Sequence, residues 1–191
     1  MPGLVNAHCH LDYTDFFGAI PSTASFTDWI RAMVDLKADV DDAAHQRSWL
    51  HGAQQCLRHG MTTLGNIETR LDVLPSLWEQ TPLRVVSFLE IILLKPESDP
   101  AEELGKLQAW MQANIPPRGC VGLSPHAPYT TKFELLEGCA EFIDLPMAMH
   151  VGESAEENQM FREGAGAMFD LLSQAGRDMN DCADQSPIAN A

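Results

Sequence analysis

The sequence predicts an α/β fold in which five βα units build a parallel sheet or barrel. Three observations predict it. Five short, nearly continuous apolar runs are separated by longer amphipathic stretches, those stretches open on helix-start signals, and histidines gather at the ends of the runs.

The runs lie at 3–7, 62–67, 83–92, 120–124 and 146–151 and are rich in Val, Ile, Leu, Met or Thr, as strands covered on both faces are. After the first run a long loop holds a helix at 26–37, and a second helix spans about 42–58. That helix ends at His59-Gly60, where Gly60 can take the left-handed capping conformation. Pro100 stands at the first position of a further helix behind Asp99, and Leu104, Leu107 and Trp110/Met111 share one side of it. Thr131 precedes Glu134, and Ser154 precedes Glu157, by the three residues of a capping box. The helix after Thr131 lines up Leu135, Leu136, Cys139 and Phe142/Ile143. Acidic clusters at 39–42 and 97–103 precede helices, where the dipole favours carboxylates. From 177 to 191 periodicity is lost and the chain reads as loop; with no linker or low-complexity tract, 1–191 reads as one domain.

With 191 residues, 45% apolar and 20% charged, the chain can bury a core without disulfide or metal staples. Twelve Lys and Arg against 27 Asp and Glu give a net charge of −15, which argues against nucleic acid or an anionic membrane as partner. A small neutral or cationic molecule fits better. Five cysteines without a C-x-x-C pair suggest a reducing cytoplasm, and neither a signal peptide nor a membrane span is expected.

Four of the seven histidines, His8, His10, His126 and His150, fall at the C-terminal ends of predicted strands 1, 4 and 5. In a parallel barrel those ends meet at one mouth. His8 and His10, one residue apart on a strand, point to the same side and can grip a divalent ion. His150 adds a third nitrogen, and Glu153, three residues on, can carry a proton from an activated water to a leaving group. Imidazole ligation suits zinc first, with iron or nickel open. Pro125 and Pro128 stiffen the backbone around His126, which reads as a substrate-orienting donor. His45, His51 and His59 share one predicted helix and read as surface or packing residues. Glu68, at the end of strand 2, is assigned to a helix start or to solvent ahead of substrate contact.

The segments PGLVNAHCHLDY, GMTTLGNI, GLSPHAPYTT and MAMHVGESAEE together resemble the amidohydrolase superfamily, specifically its cytosine-deaminase-like and TRZ/ATZ branch. The resemblance spans nearly the whole chain. It implies a TIM-type (β/α) barrel with about five of its eight βα units present, so that 1–191 is a partial barrel domain. It also implies a metal-dependent hydrolase in which His8, His10 and His150 bind the metal, Glu153 shuttles the proton, His126 contacts substrate and Trp29 lines the pocket. Binuclear members carry a carboxylated lysine after strand 4; here the nearest lysine, Lys132, is already in the next helix, so a single ion is expected. The expected substrate is an amino-substituted nitrogen heterocycle that is deaminated, with dechlorination of a triazine-like ring as the alternative.

The family pattern also has a histidine after strand 6, an aspartate after strand 8 and a small β-sandwich, none of which these residues supply; Asp178, Asp181 and Asp184 sit in the irregular tail. The sequence is therefore expected to be part of a longer enzyme, and the isolated chain to be inactive or nearly so, with open sheet edges that favour self-association into a homo-oligomer. A non-catalytic fragment stabilised by such pairing is one rival. A doubly wound binding module is another, although it leaves the gathered histidines unexplained and the sequence has no Gly-rich phosphate loop.

Overall fold

The computed structural model describes residues 2–190. Its centre is a parallel sheet of β1 (Leu4–Cys9), β2 (Met61–Glu68), β3 (Arg84–Ile91) and β4 (Gly119–Pro125), in that spatial order. Sequential order is the winding of a barrel; a doubly wound module reverses its strand order part-way, so that rival is ruled out. Around the sheet lie α1 (Phe26–Ala38), α2 (Asp42–Arg58), α3 (Leu74–Glu79), α4 (Pro100–Ala113), α5 (Phe133–Ala140), α6 (Ala155–Glu163) and α7 (Ala167–Gln174). Among the described residues no helix is long and apolar enough to cross a membrane.

The helix starts follow local chemistry. Ser25 caps α1 by accepting from Asp28 N, Asp41 caps α2 from Ala44 N, and Asp99 caps α4 from Ala101 N ahead of Pro100. At the far end of α2, Gly60 has φ +82°. The box expected at Thr131 does not form: α5 begins after Lys132 with no side-chain cap, and the Thr131 hydroxyl is buried without a partner.

The fifth apolar run is not a regular strand. It meets β4 at a single parallel bridge, Leu123 to Met147, through Leu123 N to Pro146 O at 3.0 Å and Ala148 N to Leu123 O at 3.0 Å. Pro146 has no N–H to extend the ladder. Gly122 admits this segment, because a Cβ there would stand 2.5 Å from Pro146 O.

Strand alternation sorts side chains between the helix-covered outside and the barrel interior. Leu64, Val85, Leu89, Ile91 and Leu123 point outward into two cores, one with Trp49 and Ala53 of α2 and one with Leu74, Leu104, Leu107 and Leu135. A third core joins Met160 and Phe161 of α6 to Met168 and Leu172 of α7. At the two sides of the sheet apolar residues remain exposed: Leu4 at 60% and Val5 at 68% on β1, and Met147 at 49% beyond β4.

Candidate metal centre

The end of β1 presents His8 and His10, and the segment bridged to β4 presents His150. His10 Nε2 lies 3.3 Å from His150 Nε2, which lies 3.2 Å from His8 Nε2, and one nitrogen from each ring falls within 4.8 Å of the others. Bonds of about 2.0–2.1 Å to one tetrahedral ion set neighbouring ligand nitrogens about 3.3 Å apart, so the donor set fits a single divalent cation. His150 Nδ1 lies 3.2 Å from the His126 carbonyl, and donating to it directs the Nε2 lone pair at the centre.

Neutral rings are required for ligation. Burial, then the neighbouring His150 and His8, push the His10 pKa down to about 3, while burial and His150 also lower that of His8. The exit from β1 is fixed by Asn66 of β2, whose Oδ1 accepts from Leu11 N at 2.9 Å, and the Tyr13 ring stacks on His10 at 5.0 Å.

His126, just beyond β4, brings a fourth imidazole, its ring centre 5.2 Å from that of His150. Burial, then His150, push its pKa down to about 3. Thr130 Oγ1 lies 2.7 Å from His126 Nδ1 and 3.1 Å from Ala127 O. With the hydroxyl turned to Nδ1, the ring carries its proton on Nε2 and is the donor read from sequence; with the hydroxyl on Ala127 O, Nε2 is an acceptor.

Glu153 follows His150 in an irregular loop, and its Oε2 accepts from Tyr129 Oη at 2.7 Å. Its charge is felt at His8. Trp29, half-buried on α1, stacks on Phe26 at 5.6 Å rather than on the imidazoles. Of the α2 histidines, His51 pairs with Asp15 at 2.9 Å, His59 reaches Gln55 O, and buried His45 stands 4.0 Å from Asp12.

The sequence reading of Glu68 is corrected. It serves neither a helix start nor solvent, since its side chain is buried on the outer side of the sheet, accepting from Trp49 Nε1 at 3.1 Å and Ser87 Oγ at 2.9 Å. A different carboxylate went unnoticed. Glu90 alternates with Leu89 and Ile91 on β3, so it lies on the interior side, level with Ser124 of β4. Burial raises its pKa against the pull of Lys37, and it is within electrostatic reach of His150 and Glu153. The signal was present in the alternation: an acid on the side opposite two core residues, at the C-terminal end of a strand.

A model of the amidohydrolase family matches residues 1–177. The chain belongs to the amidohydrolase family. An aminodeoxyfutalosine deaminase of Deinococcus radiodurans is 30% identical over 178 residues, covering 88% of this chain and 40% of that protein. A 5-methylthioadenosine/S-adenosylhomocysteine deaminase of Carboxydothermus hydrogenoformans is 26% identical, covering 87% and 40%. Among solved structures, Helicobacter pylori aminofutalosine deaminase in complex with methylthio-coformycin superposes with a TM-score of 0.72 at 20% identity, over 97% of this chain and 45% of that one. Guanine deaminase from C. acetobutylicum with guanine bound in its active site gives 0.70 at 13% identity, over 90% of this chain and 46% of that one. The fold is thus that of the TIM-barrel amidohydrolases, and the chain spans about two fifths of the length of the curated relatives it matches.

Proposed function

We propose that the chain is the metal-binding part of a hydrolytic deaminase acting on an amino-substituted nitrogen heterocycle of the purine-nucleoside kind, in the cytosine-deaminase-like and TRZ/ATZ branch of its family. The observation that carries this reading is the convergence of the His8, His10 and His150 Nε2 atoms, with Glu153 within electrostatic reach of His8. The relatives, deaminases by name and one of them of 5-methylthioadenosine and S-adenosylhomocysteine, point to the leaving group.

A divalent ion, zinc by ligand preference, would supply a water acidic enough to attack at neutral pH. His8, His10 and His150 would hold it as neutral rings. His126 would orient the heterocycle through Nε2, and Trp29 would line the approach to it. Glu153, with Oε2 tied to Tyr129, has Oε1 left to accept the water's proton and pass it to the departing amine. One C–O bond forms, one C–N bond breaks, and ammonia leaves with the oxo-heterocycle as product.

The test is a panel of aminopurine nucleosides, guanine, an aminotriazine and a chlorotriazine, assayed for ammonia and chloride with the protein carrying the complete barrel. Ammonia from the aminopurine nucleosides is expected, with elemental analysis returning zinc. Chloride release without ammonia from any amino compound would overturn deamination in favour of dechlorination.

A further inference from the structure

The Ser154–Glu157 pair carries a capping-box spacing, but its bonds run differently. In a capping box the glutamate returns a bond to the N–H of the cap residue itself. Ser154 Oγ does accept from Glu157 N at 3.0 Å. The Glu157 carboxylate, however, reaches past the cap and accepts from Glu153 N at 2.6 Å and Gly152 N at 3.3 Å.

Glu157 is also fully buried, with 0% of its surface exposed. A buried carboxylate carries a desolvation penalty that an apolar side chain in the same core would avoid. What it gains is a fixed backbone at the two residues that follow the loop from His150. Gly152 turns there with φ +71°, and Glu153 comes next. At its other end Glu153 is held by the hydroxyl of Tyr129, a residue only 4% exposed. Backbone and one carboxylate oxygen are both fixed, and the second oxygen is left for proton transfer.

We propose that Glu157 is a positioning residue for Glu153: its carboxylate bridges the amides of Gly152 and Glu153 and, together with the Tyr129 hydroxyl, aims the proton-carrying oxygen at the reaction centre. The inference rests on the deaminase reading for its purpose, although the clamp is testable without it.

Amide hydrogen exchange in the purified protein tests the clamp. The Gly152 and Glu153 amides are expected to be protected in the wild type and to exchange at least tenfold faster in Glu157→Gln, which keeps the shape and only one acceptor oxygen. Kinetics test the purpose. With the protein carrying the complete barrel and the best nucleoside, Glu157→Gln should lower kcat by about 10- to 100-fold and leave KM within about twofold. That loss should vanish in a Glu153→Gln background, which a merely structural role would not produce. If Glu157→Gln does not fold, Tyr129→Phe takes its place, with a smaller kcat loss that also disappears without the Glu153 acid. Unprotected wild-type amides, or equal losses with and without Glu153, overturn the proposal. A protein that releases no ammonia from any substrate fails the deaminase reading instead, and exchange at the two amides still decides the clamp.

Discussion

Glu68 sits between indoles, taking one bond from Trp49 and one from Ser87, whose own oxygen accepts from Trp78 Nε1 at 2.9 Å. Burial, against the opposing bonds of Asn66, Ser87 and Trp49, raises its carboxyl pKa to about 7 from an ordinary 4.5. Between those two values the folded state holds a proton that the unfolded chain has lost. The stability conferred is therefore complete below pH 4.5 and lost as pH rises through 7, a change on the order of 3 kcal/mol at about 1.4 kcal/mol per pH unit. Urea unfolding of wild type and Glu68→Gln between about pH 5 and 7.5 should show the difference in stability shifting in the variant's favour as pH rises. A difference that does not change with pH contradicts this. The buried role was legible in part: period-two alternation along β2 puts Glu68 on the side of Leu64, in the outer core, and away from the mouth. Its partners Trp49 and Ser87 come from α2 and β3, and no local pattern predicts them.

The element that places His150 depends on one glycine. A Cβ at Gly122 would stand 2.5 Å from Pro146 O and 2.8 Å from Phe88 Cδ1, so Gly122→Ala must push the 146–151 segment off β4 or displace Phe88. A destabilisation of about 1–3 kcal/mol is expected, with weaker zinc binding because His150 travels with the segment. Denaturant unfolding and calorimetric zinc titration check the two effects, and unchanged affinity in the folded variant would contradict the coupling. The four regular strands were legible in the sequence because each is a continuous apolar run between turn signals. The fifth was legible as a position, not as a strand, since pairing is a property of neighbours and only β4 is alongside it. α3 and α7 escaped notice because neither has a side-chain cap to announce it. Thr131 announced a cap that α5, starting at Phe133, does not use.

At the scale of the molecule, the sheet has two open sides, with Leu4 and Val5 exposed on one and Met147 on the other. Unpaired edges and uncovered apolar residues favour association, so the purified 191-residue chain is expected to elute as an oligomer in light-scattering chromatography; a clean monomer would contradict that expectation. The gathering of residues 142 positions apart, His8 and His150, was legible because a parallel barrel brings its strand ends to one mouth. The clamp from Glu157 was not, since its spacing is that of an ordinary cap. The central claim is that three imidazoles hold one cation, and X-ray absorption on the zinc-saturated protein tests it most directly. One zinc per chain with three imidazole nitrogens at about 2.0–2.1 Å is expected, with binding lost when His8, His10 and His150 are all replaced by alanine. A zinc shell without imidazole, or equal binding by the triple variant, would contradict it.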